Sequence, residues 1–324
     1  MRGVYNTECT CFGRHPAAVG AAESLLVWTP GTVSRCGGLF SVKNEGGKIM
    51  IKLIASDLDG TLLPEGTADI NPKIYEVIRK LQAAGIMFVA ASGRNYESVM
   101  SVFGTMEKEL TVISDNGGYG AKGGIGMYCN GFPKELLREI VTAAREVKGA
   151  WMMASAARGT YTDQNDPKYI GWIREGYKQN IRLVDDLLEV EEPLIKVALY
   201  TYEEEAPVIA APLREKFGAR AMVALAGERW IDITMPGANK GAALERIQNT
   251  LGITLEETAA FGDNGNDISM LKRAAESYAV ANARDEVKAA AKHVLTDTSD
   301  HAVLDVLEAL LMQAKRQSSD RASV

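Results

Sequence analysis

The stretch Ile51-Lys52-Leu53-Ile54-Ala55-Ser56-Asp57-Leu58-Asp59-Gly60-Thr61-Leu62-Leu63 decides the fold of this chain. Ile51 to Ala55 is an apolar run of strand length, as expected of a strand buried on both faces. Two carboxylates, Asp57 and Asp59, leave its carboxyl end at i and i+2. Open α/β sheets bind ligands at that end of their strands. The plainer alternative for Asp59-Gly60 is the turn of a hairpin.

Downstream, short apolar runs alternate with helical patterns. Ile74, Val77, Ile78 and Leu81 recur at i, i+3, i+4 and i+7, with Pro72 near the start and Gly85 beyond the end. Ile86 to Ala91 reads as a second strand, Tyr96 to Phe103 as a helix and Leu110 to Ser114 as a third strand. This βαβαβ order predicts a doubly wound parallel sheet. After Asn116-Gly117 the pattern changes to a glycine-rich hairpin. A helix then begins at Pro133, and the strand candidates that follow are Trp151 to Ser155, Thr160 to Thr162, Leu194 to Tyr200, Ala221 to Leu225 and Trp230 to Thr234. Helical stretches near Tyr169 to Gln179 and Glu203 to Phe217 separate them. The βα alternation resumes with helix Lys240 to Leu251, strand Ala259 to Gly262, helix Asp267 to Ala274, strand Ser277 to Val280 and a last helix on Val303, Leu307 and Leu310. The expected fold is α/β, a doubly wound parallel-sheet (Rossmann-like) core at 50–132 and 236–324, with an α+β module inserted at 133–235.

Residues 1–49 show no sustained periodicity and are read as a leader. Met50 directly precedes the first strand, and Glu45-Gly46-Gly47 can be encoded by a purine-rich ribosome-binding sequence, so translation is expected to start naturally at Met50. The net charge is −6 with acids and bases interleaved, which points to neither nucleic acid nor a membrane surface as partner. Three of the four cysteines (Cys9, Cys11 and Cys36) fall in the leader, leaving Cys129 alone, as expected for a cytoplasmic protein. The histidines, His15, His293 and His301, are too few and scattered for a triad or a zinc site, so acid–base chemistry is expected to rest on carboxylates.

Four further signals lie at strand or helix ends. Ser92-Gly93-Arg94 follows the second strand, where Ser92 could simply be a helix N-cap. Asn116-Gly117 follows the third and could be a plain turn. Lys240 opens a helix, where a cation opposes the helix dipole unless it faces a bound anion. Gly262-Asp263-Asn264-Gly265-Asn266-Asp267 ends another strand. Together these form a chemical set. Asp57, Asp59 and Asp263 offer hard oxygen ligands suited to magnesium, and Ser92, Lys240 and Asn266 offer donors to phosphoryl oxygens.

This set resembles the haloacid-dehalogenase (HAD) superfamily phosphatases, in particular the Cof-type group with a C2-type (IIB) cap between the second and third motifs. The resemblance rests on Asp57-Leu58-Asp59-Gly60-Thr61, Ser92-Gly93-Arg94, Asn239-Lys240-Gly241, Gly262-Asp263 with Asn266-Asp267, and Ala281-Asn282-Ala283. It spans Met50 to about Leu311. It implies a phosphatase acting on a small phosphorylated metabolite through an aspartyl phosphate, with Mg2+ as cofactor. Asp57 would be the nucleophile and Asp59 the general acid and base. Magnesium would be held by Asp57, the Asp59 backbone carbonyl and Asp263, supported by Asp267. The Leu58 amide, Ser92, Gly93, Arg94, Lys240 and Asn266 would bind the phosphate or substrate.

Gly118-Tyr119-Gly120-Ala121-Lys122-Gly123 matches G-x-G-x-x-G, but a strand-like run follows where a dinucleotide site needs a helix. Competing classes are a phosphosugar mutase using the same aspartyl phosphate, a phospho-acceptor receiver and a non-catalytic phospho-metabolite-binding protein. The distance in sequence from Asp57 to Lys240, across a whole inserted module, does not suit a small receiver. Sugar phosphates, nucleotide-like phosphates and other phosphorylated metabolites all fit as substrates. The inserted module is expected to set the choice by closing over the site, with Arg158, Tyr161 and Trp172 as candidates.

Overall fold

The computed structural model describes residues 50–64, 70–176, 179–202, 205–226, 229–295 and 300–322. The expected leader at 1–49 lies outside them. Residues from Met50 onward form one compact unit built on two sheets.

The first strand, β1 (Leu53–Ser56), is buried along its whole length. Helix α1 (Pro72–Ala83) follows with Asn71 as its N-cap, its side chain accepting from the Lys73 amide, and it buries Ile74, Val77, Ile78 and Leu81. Next come β2 (Met87–Ala91), α2 (Tyr96–Phe103) and β3 (Thr111–Ser114). The hairpin is β4 (Tyr119–Lys122) with β5 (Ile125–Cys129), joined by Gly123 and Gly124, both at positive φ. The glycine fingerprint therefore opens a hairpin strand and no dinucleotide-binding helix.

The inserted module comprises α3 (Lys134–Arg145), β6 (Ala150–Ala156), β7 (Gly159–Thr162), α4 (Pro167–Gly176), β8 (Ile181–Leu183), β9 (Leu194–Thr201), α5 (Ala206–Phe217), β10 (Met222–Leu225) and β11 (Trp230–Thr234). Its sheet runs β10-β11-β9-β6-β7-β8, antiparallel except for the β7–β8 pair. One face packs on Leu137, Ile140, Val141, Leu213 and Phe217. The opposite face carries Met153, Ala198 and Tyr200 under Tyr169, Ile173 and Trp172 of α4.

The chain then returns to the first sheet through α6 (Lys240–Leu251), β12 (Thr258–Gly262), α7 (Ile268–Leu271), β13 (Glu276–Ala279), α8 (Asp285–Ala290), β14 (His293–Val294) and α9 (Asp300–Ala322). The core sheet has the order β14-β13-β12-β1-β2-β3-β4-β5, parallel from β14 through β3. From β1 the chain first winds outward through β2 and β3. It later returns on β1's other side through β12. The boundary between β1 and β12 is thus the switch point of a doubly wound sheet, where a crevice opens at the strand ends. Register pairs Ser56 with Phe261, so Asp57 and Asp263 emerge almost side by side.

Candidate active site

The loop after β1 turns sharply. The Leu58 carbonyl accepts from the amides of Thr61, Leu62 and Leu63, and Gly60 sits at φ +79°. The Leu58 side chain is fully buried, which anchors the loop from inside. A Cβ at Gly60 would lie 2.4 Å from the Asp263 carboxylate, so glycine is what lets the two strand-end loops approach. Thr61 Oγ1 donates to Asp263 at 3.4 Å, and Asn282 Nδ2 donates to the Gly60 carbonyl at 3.2 Å.

Lys240 is fully buried at the first turn of α6. Its Nζ lies 2.5 Å from Asp57 Oδ1 and 2.6 Å from Asp267 Oδ1. Asp267 uses its second oxygen to accept from the Asp263 and Asn264 amides at 2.9 and 3.0 Å. One carboxylate thus holds the lysine and shapes the acidic loop together. Burial, followed by the neighbouring charge of Asp267, pushes the Asp57 carboxyl well above the usual carboxylate range, and Lys240 pulls it back. Burial works against the charge of Lys240, but Asp267 and Asp57 outweigh it and hold the ammonium above the ordinary lysine value.

Carboxylate oxygens of Asp57, Asp263 and Asp267 lie within 4.8 Å of one another. Three clustered carboxylates, two of them on Lys240, form a hard-oxygen set that fits a divalent cation. Both Asp267 oxygens are already engaged by Lys240 and the two amides, which leaves Asp57 and Asp263 as the better ligands.

Asp59 points elsewhere. Arg94 grips it with two nitrogens, Nε at 2.8 Å and Nη2 at 2.5 Å. Ser92 is fully buried, and its Oγ accepts from the Arg94 amide at 3.0 Å. The N-cap of α2 is Asn95, whose side chain accepts from the Ser98 amide, so the capping alternative for Ser92 does not hold. Nor is Asn116 a plain turn residue, since its Oδ1 accepts from Asn266 Nδ2 at 2.8 Å. A Cβ on neighbouring Gly117 (φ +96°) would stand 2.5 Å from the Asn239 carbonyl. The structure therefore gathers Asp57, Asp59, Ser92, Gly93, Arg94, Lys240, Asp263, Asn266 and Asp267 at one end of the sheet.

The cap candidates divide differently. Arg158 is exposed and its backbone amide donates to Glu192. The Tyr161 hydroxyl donates to Glu192 and accepts from Arg182. Trp172 packs on Tyr200, with ring centroids 4.3 Å apart. The sequence reading overlooked Lys196, which is buried between Asp115 and Asp232 at 3.6 Å from each. A lone lysine inside the otherwise apolar run of β9 was the available signal, because a buried cation requires partners.

A family model for haloacid dehalogenase-like hydrolases matches residues 54–307. The chain belongs to that family. It is 30% identical over 261 residues to the 5-amino-6-(5-phospho-D-ribitylamino)uracil phosphatase YbjI of Escherichia coli, covering 81% of this chain and 96% of that one. It is 28% identical to the HMP-PP phosphatase of Yersinia pestis, covering 74% of this chain and 87% of the relative. Among solved structures it is similar to the HAD subclass IIB sugar phosphatase BT4131, with a TM-score of 0.65 at 24% identity, covering 79% and 98% of the two chains. The doubly wound core with its inserted α+β sheet is the fold of that subclass. No helix among the described residues is long and apolar enough to cross a membrane.

Proposed function

We propose that this chain is a magnesium-dependent phosphatase that hydrolyses a monoester of a small phosphorylated metabolite through a phosphorylated Asp57. The observation that carries the reading is the buried Asp57–Lys240–Asp267 chain beside Asp263 at the switch point. In this reading, 50–132 with 236–324 is the catalytic core and 133–235 is the cap.

Asp57 uses a carboxylate oxygen to attack phosphorus, and the bond from phosphorus to the ester oxygen breaks. Asp59 gives its proton to the departing alkoxide. Asp59 then takes a proton from water as that water attacks the phosphorus of the acyl phosphate, which releases inorganic phosphate and restores both carboxyl groups. Asp57, the Asp59 backbone carbonyl and Asp263 would hold Mg2+, with Asp267 behind them. When bound, that ion supplies positive charge to the phosphoryl oxygens. Lys240, Ser92, Asn266 and the Leu58 amide neutralise and orient the same oxygens, which is most of what phosphoryl transfer asks of a protein.

Two features support Asp59 as the acid and base. It lies two residues beyond the nucleophile in the same loop, and Arg94 fixes its direction, one of the two oxygens that Arg94 holds coming free to carry the proton. The relatives named above support the choice of substrate class. A phosphate-release screen over phosphorylated metabolites, with and without magnesium, tests the proposal. A 5-phosphoribitylamino-pyrimidine belongs first on that panel. Release that is absent across the panel, or undiminished by chelation, contradicts the reading.

A further inference from the structure

Polar ties between the inserted sheet and the core converge on one short segment, Gly93 to Glu97. Lys196 Nζ donates to the Gly93 carbonyl at 3.3 Å, and Asn95 Nδ2 donates to Thr160 Oγ1 at 2.5 Å. Asn180 Nδ2 and Arg182 Nη2 reach Glu97 at 3.3 and 3.4 Å. This is the segment whose intervening residue, Arg94, grips Asp59, and whose preceding residue is Ser92. The cap and the chemistry therefore read alternate residues of one stretch.

Lys196 is the buried member of this set. Its side chain is 10% exposed, between Asp115 of the core and Asp232 of the cap. Its burial alone disfavours the charge, but Asp232 and Asp115 more than offset that and raise the lysine above its ordinary value. Asp115 and Asn116 form a left-handed turn, with φ of +49° and +54°. That turn braces the loop from below, since the Asp115 amide donates to the Arg94 carbonyl at 2.8 Å and the Asn116 amide to the Ser92 carbonyl at 3.0 Å. Lys196 closes the loop from above. The seat is close, because a Cβ on Gly118 would come within 2.3 Å of Ile195, whose side chain is buried with Tyr119, Ala121 and Ala157.

We infer that Lys196 is a positioning residue. By docking the cap on Gly93 and Asp115 it fixes the Ser92-Gly93-Arg94 loop, so that Arg94 meets Asp59 only while the cap is seated. The inference rests on the phosphatase reading above. It separates Lys196 from a residue that merely recognises the leaving group. Such a residue would matter for a bulky metabolite and not for a small aryl phosphate. A loop-positioning residue matters for both, and for inorganic phosphate itself.

The test compares wild type with Lys196→Met, Lys196→Arg and the paired change Asp115→Asn with Lys196→Met. The pair removes the fully buried Asp115 carboxylate along with the lysine, so that only Asp232, which is partly exposed to water, is left without its cation. The readouts are kcat and KM for p-nitrophenyl phosphate, the inhibition constant of inorganic phosphate, and amide hydrogen exchange across residues 92–97. Lys196→Met and the pair should raise KM and the phosphate inhibition constant about tenfold, the worth of one such bond, and speed exchange at 92–97. Lys196→Arg should restore most of both. Wild-type values for KM, phosphate inhibition and exchange in both lysine-lacking proteins would overturn the inference. Failure of the phosphatase reading looks different, because wild type itself would then release no phosphate while exchange at 92–97 still reported on the loop.

Discussion

Arg94 holds both carboxylate oxygens of Asp59, at 2.8 Å through Nε and 2.5 Å through Nη2. A forked grip fixes direction as well as charge, which a single ammonium cannot do. The residue assigned the proton transfer is thus aimed by a residue from the next strand-end loop.

The first prediction follows from that pairing. Asp59→Asn should lower kcat for alkyl phosphates by about 10²–10⁴-fold, the usual worth of a positioned general acid and base. The loss should shrink for an aryl phosphate, whose leaving group needs less help. Steady-state rates on matched alkyl and aryl esters decide it, and equal losses on both would count against the acid role.

Lys240 is a buried cation in direct contact with Asp57. Lys240→Met should destabilise the protein by about 3–5 kcal/mol, because removing one member of a buried ion pair leaves its partners uncompensated. Magnesium should recover part of that loss by binding the bared carboxylates. Urea unfolding with and without magnesium measures both effects, and an unchanged midpoint would contradict the arrangement.

Gly60 is held at φ +79°, with no room for a Cβ beside Asp263. Gly60→Ala should therefore push apart the loops that carry Asp57 and Asp263. Turnover should fall by about 10²-fold, the scale set by misplacing reacting groups by an ångström. Magnesium affinity, measured by calorimetry, should fall with it.

Asp115 supplies a pH prediction. Burial raises its carboxyl to about 6, with Lys196 opposing the rise. The folded state therefore binds this proton more tightly than the unfolded state. The stabilisation this brings is full below the ordinary aspartate range and is lost as pH rises through about 6. Asp115→Asn has no such proton to lose. The stability of the variant relative to wild type should increase between pH 4 and pH 7 in parallel unfolding titrations. A difference that stays flat across that window would contradict the assignment.

Most of the core was legible from Met50 onward because its elements are long and patterned. Helix α6 (Lys240–Leu251) has the residues expected of it, and the strands of the inserted sheet other than β8 fall within a residue of where the sequence indicated. The elements that escaped were β8, α8 and β14, of three, six and two residues, too short to show a period. The helix expected from Asp267 to Ala274 is reduced to α7 behind a 3-10 turn at Gly265–Asp267. Asp267 turns back to accept from the Asp263 and Asn264 amides there, which ties the start of that segment into the loop. The candidate site was legible as a set of strand-end residues. What sequence could not supply was pairing across the fold. Arg94 with Asp59 and Lys196 with Gly93 join residues 35 and 103 positions apart, and only the sheet order brings them together.

The central claim is that Asp57 becomes phosphorylated. The most direct measurement is trapping with a radiolabelled phosphate ester, acid quenching, and mapping of label in wild type and Asp57→Asn. The account predicts acid-stable, hydroxylamine-labile label on the peptide containing Asp57 in wild type. It predicts none in Asp57→Asn, whose turnover should collapse while its melting temperature stays near that of wild type. Label on another residue, or turnover by Asp57→Asn at close to the wild-type rate, would contradict it.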